Sequence, residues 1–203
     1  MRDRNRLIRD QVVDAHWYAA LEAQMAEAGE AITTHRRAAI ARIGDVDSQF
    51  SHLCILHIDN AGQGWVVESL IEDGATINTL DHALAHGVGR VALFRHKNPA
   101  LAAKAAELIH AHVARSRRRW FGHIYYDFSM RLDAYKKLFC SKLVRQAFDM
   151  ASGGKVLLPT FKTSFRSANK EFLARIGVTA RETFAPADFE LEPDFQLIAG
   201  WTD

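Results

Sequence analysis

Cysteine is scarce in this chain: of 203 residues only two, Cys54 and Cys140, carry a thiol. They stand too far apart for a CxxC redox pair or a zinc ribbon, and two are too few for a disulfide framework. Each has to be read as a single thiol. Long apolar runs are missing as well. No stretch approaches the roughly twenty residues that span a bilayer, so no transmembrane segment is expected. The opening MRDRNRLIRDQ carries charge without the apolar run of a signal peptide. The expectation is therefore cytoplasmic by default, with the cell envelope as the alternative if a signal has been removed. Nor is there an excess of charge of one sign. With 26 Lys+Arg against 24 Asp+Glu the formal charge is +2, too small a surplus to expect a nucleic-acid partner. Internal repeats, low-complexity segments and dividing linkers are absent too, and 48% hydrophobic with 25% charged residues fits one domain spanning 1–203.

What is present reads as mixed α and β structure. Val13, Trp17, Leu21 and Met25 recur every four residues, which predicts a helix over 3–28 as an added layer. SHLCILHI (51–58), GWVVESLI (64–71) and GRVALFRH (89–96) are short β-rich runs that predict a small antiparallel sheet. DNAGQG supplies a hairpin turn between the first two. Asn98 and Pro99 sit where an N-cap and a first helical residue belong. Leu101, Ala105, Leu108, Ile109 and His112 then form one buried stripe. A terminal FQLIAGW adds a further strand.

The segment KLFCSKLVRQAFDMASGG (137–154) carries the chemistry. Leu143, Val144, Ala147, Phe148 and Ala151 make an apolar helix face, and Gly153-Gly154 supply a left-handed stop. Cys140 opens that helix on its buried face. Two readings follow. Free cysteine is commonly a small buried hydrophobe, but at a helix N-terminus the unpaired N–H groups and the dipole stabilise a thiolate and can hold an oxyanion.

A thiolate nucleophile needs a base, and the base an orienting acceptor. His52 and Cys54 face one side of SHLCILHI, and Glu68 shares a face with Val66 and Leu70 in an apolar strand. A carboxylate there calls for a partner, and hairpin pairing of the two strands would let Glu68 accept from the His52 imidazole. Cys54 is read as a small core residue near the site.

FSHLCIL, VVESL, YYDFSM and KLFCSKLVRQAF, in that order, resemble the permuted papain-like cysteine hydrolases of the YiiX/YebB type, circular permutants of the NlpC-type cell-wall peptidases. The resemblance covers about residues 44–150 and implies an α+β, circularly permuted papain-like fold. In it a small antiparallel sheet packs against helices, residues 44–150 hold the catalytic core motifs and residues 1–40 are an N-terminal helical addition. It implies Cys140 as nucleophile, His52 as general base and Glu68 as the residue orienting it. Where the family usually has Tyr-Cys-Ser-Glu, this chain has Phe139-Cys140-Ser141-Lys142. Ser141 and Lys142 are thus read as oxyanion or substrate-binding residues, Lys142 as a positive charge that helps the thiolate and meets an anionic substrate. Gly44-Asp45 reads as a remnant of the family's entry strand. The oxyanion falls to the Cys140 backbone N–H, with the Tyr126 hydroxyl as second donor, and Asp127 ties the loop.

The expected activity is a cysteine amidase or peptidase with no cofactor and no metal. Its substrate is a small-molecule, peptide or lipid-linked amide, and oligomeric state is left open. Two alternatives remain: acyl transfer of the lecithin retinol acyltransferase type, and a non-catalytic lipid- or peptide-binding module. RSRRRW (115–120) reads as a solvated helix end. His82 and His86, at i and i+4, lack an acidic or cysteine third ligand.

Overall fold

The computed structural model describes residues 50, 52–84, 90–118, 122–133, 135–156, 158, 161–162, 177–179 and 182–202. The helix expected over 3–28, Gly44-Asp45, His86 and the end of the arginine run lie outside these residues.

The hairpin expected from the first two runs is there. Strand β1 (Ile55–Ile58) pairs antiparallel with β2 (Gly64–Leu70), Ile55 opposite Val67 and Ile58 opposite Gly64. Asp59 closes the turn chemically: its Oδ1 accepts from the backbone N–H groups of Ala61 and Gln63, both at 2.9 Å, and its Oδ2 from the Trp65 indole at 2.8 Å. This is the local side-chain bonding that makes Asp a turn residue. The third strand of this sheet differs from the expectation. It is β3 (Gly74–Thr79), paired antiparallel with β2, and the run at 89–96 forms β4 (Arg90–His96) in a separate pair with the terminal strand β7 (Phe195–Thr202). A short helix α1 (Leu80–Leu84) follows β3, and a two-residue pair joins β5 (Phe161–Lys162) to β6 (Glu182–Thr183).

Two longer helices cover the three-stranded sheet. Helix α2 (Pro99–Arg118) starts as its sequence dictates: the Asn98 side chain accepts from the Leu101 N–H at 3.1 Å, and Pro99 occupies the first turn, where its missing N–H costs nothing. Its buried residues Ala105, Ala106, Ile109 and Val113 pack against helix α3 (Cys140–Ser152) and the sheet. The face of α3 read from the sequence is the one that is buried, Leu143, Val144, Ala147, Phe148 and Ala151 joining Val67, Ala75, Ile109 and Leu158 in the main core. Helix α3 ends on Gly153 at φ 65°, ψ 40°, the left-handed stop. At its far end, Phe148, Phe195, Phe189 and His96 interlock, with ring centroids 4.4 Å apart for Phe189–Phe195 and 5.2 Å for Phe148–Phe195. Through them the β4–β7 pair is fastened to the same core.

Among the described residues no helix is long and apolar enough to cross a membrane. The arginine run is not purely a solvated face: Arg117 donates to the Thr76 hydroxyl, tying the end of α2 to β3.

Candidate active site

Helix α3 begins at Cys140 because the chain just before it is held in extended form from two sides. Leu138 forms a parallel bridge with Tyr126, its N–H bonding the Tyr125 carbonyl at 3.0 Å while its own carbonyl takes the Asp127 N–H at 3.2 Å. The Ser69 hydroxyl of β2 donates to that same carbonyl at 2.7 Å. Phe139 is extended, with no side-chain cap. The first-turn N–H groups of α3 are therefore left to bond to whatever lies at the helix end, and what lies there is the Cys140 sulfur.

The structure brings His52, Glu68 and Cys140 together. His52 Nε2 lies 2.8 Å from Glu68 Oε2, and the ring also hydrogen-bonds the Cys140 thiol. Backbone N–H groups of Leu53 and Ser141 point to the sulfur as well. Cys140 is 1% exposed, whereas the His52 side chain keeps 37% of its surface open. The buried sulfur thus lies behind a partly exposed imidazole.

Electrostatics follow from this geometry. Burial alone pushes the Cys140 thiol up, but the His52 hydrogen bond and charge, with the two backbone N–H groups, outweigh it and hold the thiol below its ordinary value. For His52, desolvation works against the imidazolium. The Cys140 and Glu68 hydrogen bonds and charges outweigh it, and the ring is raised to about 10. Although the ring edge is open, the imidazole faces two negative partners, which fixes that direction. Between the two titrations, thiolate and imidazolium exist as a pair. Desolvation raises Glu68, and His52, then Asn78, then the charge of His82 lower it, so the net shift is down and it remains a carboxylate.

Cys54 is exposed, so it is not the core residue expected. Desolvation and the charges of Glu68 and Cys140 push its thiol up to about 12. Even at an exposed position two negative neighbours set that direction. The site thus lowers one thiol and raises the other.

The three remaining sequence-predicted residues, Tyr126, Ser141 and Lys142, are buried. Lys142 is fully buried, its Nζ 2.6 Å from Asp127 Oδ2. An ammonium sealed in that ion pair does not meet a substrate, which corrects the role read for it. The Ser141 hydroxyl is likewise turned inward, donating to the Phe184 carbonyl, and only the Ser141 backbone reaches the sulfur. Tyr126 is buried in a second cluster with Met130, Phe139 and Ala185, its ring 4.9 Å from that of Phe128. Asp127 ties its loop as expected, Oδ1 accepting from the Ser129 N–H at 3.1 Å and the Ser129 hydroxyl at 2.5 Å.

Sequence reasoning missed Asn78. Its Nδ2 donates to Glu68 Oε1 at 2.7 Å, so both carboxylate oxygens are occupied. The signal was an amide one residue before the end of β3, and it became legible only with the register that sets Thr76 opposite Glu68 and Asn78 two pairs further along, opposite Val66.

No match to a curated protein was found. Among solved structures, the crystal structure of YiiX from Escherichia coli, which is described as a metalloprotein, shares this fold with a TM-score of 0.55 and 19% identity, over 81% of this chain and 89% of that one. Among the described residues here, no three His, Cys, Asp or Glu side chains gather as a metal site. The model of the permuted papain-like amidase enzymes of the YaeF/YiiX family matches residues 26–199, and to that family this chain belongs.

Proposed function

We propose that this member of an amidase family works as a cysteine hydrolase, with Cys140 as nucleophile, His52 as general acid and base, and Glu68 holding the imidazole. The observation that carries the reading is the His52 ring, hydrogen-bonded at once to the Cys140 thiol and the Glu68 carboxylate. A thiol inert in a binding pocket has no use for such a pair, so the same observation speaks against the non-catalytic module.

The thiolate of Cys140 attacks the amide carbonyl carbon, a C–S bond forms, and the carbonyl π electrons pass to oxygen. Backbone N–H groups at the start of α3 supply donors to that oxyanion, the Cys140 N–H among them. The Tyr126 hydroxyl is the second donor in this reading; its backbone is paired with Leu138, two residues before the nucleophile. Collapse breaks the C–N bond, and the imidazolium of His52 gives its proton to the leaving nitrogen. Water then attacks the thioester carbonyl as His52 takes a proton from it, and breaking the C–S bond releases a carboxylic acid and restores the thiolate–imidazolium pair. Glu68 keeps the ring in place and stabilises its charged form throughout, as a buried acceptor does for a catalytic histidine.

An activated p-nitrophenyl ester series with different acyl chains tests the reading. The expected result is a burst of one equivalent of nitrophenolate per chain and an acyl adduct on the peptide bearing Cys140. Cys140→Ala and His52→Ala should abolish both. An adduct on another residue, or an undiminished burst in Cys140→Ala, overturns the assignment. Added amines that divert the acyl group faster than water releases it would reassign the enzyme to acyl transfer.

A further inference from the structure

The Glu68 side chain is only 7% exposed, yet it remains charged. A desolvated carboxylate is costly unless each oxygen finds a donor. Oε2 has His52 at 2.8 Å; Oε1 has Asn78 Nδ2 at 2.7 Å. The amide can face this way only with its NH2 forward, since its carbonyl would oppose the carboxylate. Asn78 is also fixed from behind: β3 is laddered to β2 from Trp65↔Thr79 to Leu70↔Gly74, so Asn78 and Glu68 are diagonal neighbours on one face. Thr76, directly opposite Glu68, has its hydroxyl engaged by Arg117. Among the described residues, the side-chain donor to Oε1 is the Asn78 amide.

We infer that Asn78 is a positioning residue of this active site: by gripping the second oxygen of Glu68 it fixes the carboxylate rotamer that presents the first oxygen to His52, and so sustains the thiolate–imidazolium pair. The inference rests on the proposed roles of Cys140, His52 and Glu68. Without the Asn78 donor, the Glu68 carboxyl is free to rotate about its last bond, and its buried Oε1 lacks a partner. Both changes weaken the hold on the charged imidazole, and a weaker imidazolium is a poorer counter-ion for the Cys140 thiolate. Asn78 touches neither substrate nor sulfur in this account. It acts through Glu68 alone.

The test is the rate of iodoacetamide modification of Cys140 from pH 4 to 9, followed on the Cys140-bearing peptide by mass spectrometry so that Cys54 does not interfere. Four proteins are compared: the parent, Asn78→Leu, Glu68→Gln and the double variant. Asn78→Leu keeps the size of the side chain and removes the donor. Losing a hydrogen bond to a charged group should lower Cys140 reactivity at acidic pH about threefold to tenfold and move the acid limb upward. In the Glu68→Gln background the same change should add nothing, because the charge it served is gone. Thermal unfolding of each variant separates this from general loss of structure, which lowers the melting temperature without moving the limb of the folded protein. Should Asn78→Leu fold poorly, Asn78→Ala answers the same question, since it removes the donor without adding a branched apolar side chain beside Glu68, and the limb should move in the same direction. A shifted limb in Glu68→Gln with a parental limb in the folded Asn78 variant overturns the role of Asn78 and leaves the triad standing. A parental limb in Glu68→Gln overturns the triad reading and the role of Asn78 with it.

Discussion

Cys54 and Cys140 answer to the same neighbours in opposite ways. Exposure alone ranks Cys54 the more reactive, since its side chain is open to solvent and that of Cys140 is not. Charge reverses the order: Cys140 has an imidazolium and backbone N–H groups on its sulfur, while Cys54 faces the negative charges of Glu68 and Cys140 and is pushed up to about 12. The thiolate is the nucleophile, so a sub-stoichiometric dose of iodoacetamide at pH 7 should modify Cys140 before Cys54. The labelled peptides, resolved by mass, check this, and preferential labelling of Cys54 contradicts it. The same two titrations set the activity profile. In the proposed mechanism activity needs thiolate and imidazolium together, so it should rise as Cys140 loses its proton below the ordinary thiol range and fall as His52 loses its own at about 10. Tyr126→Phe removes the proposed second oxyanion donor. It should lower kcat by roughly tenfold to a hundredfold with little change in KM; unchanged kcat removes Tyr126 from the site.

The start of α3 is the element on which the site depends, and its anchors are internal. Lys142 in the first turn is sealed against Asp127, fifteen residues upstream, and Ser141 is bonded to the Phe184 carbonyl. Removing one partner of a buried ion pair strands the other, so Lys142→Met should cost about 3–5 kcal/mol, and Lys142→Met with Asp127→Leu should recover much of it. Denaturant unfolding measures both, and additive losses would show that the pair is not the cause. Nothing in the sequence around Lys142 reveals this direction: a lysine in a helix first turn ordinarily reaches water, and only the chain at 125–127, folded back along Leu138, supplies the acid that turns it inward. Two glycines of left-handed φ make a second contrast. A Cβ on Gly153 meets nothing within 4 Å, whereas one on Gly74 lies 2.3 Å from the Ile124 carbonyl oxygen. Gly153→Ala should therefore cost about 1–2 kcal/mol from backbone strain alone, and Gly74→Ala distinctly more, because it also pushes segment 122–128 off β3.

At the scale of the whole molecule, the sequence showed which segments are strands and helices better than which of them pair. The α3 face, the Asn98–Pro99 start of α2 and the turn at Asp59 were legible because each is decided within one turn of chain. Strand β3 was not: Gly74, Ala75 and Asn78, half of GATINT, are residues that strands avoid, and it pairs because Ala75 and Thr76 are buried beside β2. The partner of β4 was equally hidden, since β7 lies about a hundred residues away and the aromatic cluster that fastens it draws on Phe148, Phe189 and Phe195 together. Phe148→Ala should cost about 3–5 kcal/mol by opening a cavity between α3 and β7. The site shows the same division. His52 and Glu68 stood out as residue types unsuited to apolar strands and Cys140 by its place at a helix N-terminus, while Asn78 looked like any polar residue of a strand end until the register placed it beside Glu68. What the fold adds is the meeting of a sulfur and an imidazole 88 positions apart in the chain. That meeting is tested most directly by the pH dependence of Cys140 alkylation in the parent and in His52→Ala. The account predicts an acid limb in the parent well below the ordinary thiol value, moved up to about 8.5 or beyond when the imidazole is removed. A parent limb already at about 8.5, or one that His52→Ala leaves in place, would contradict it.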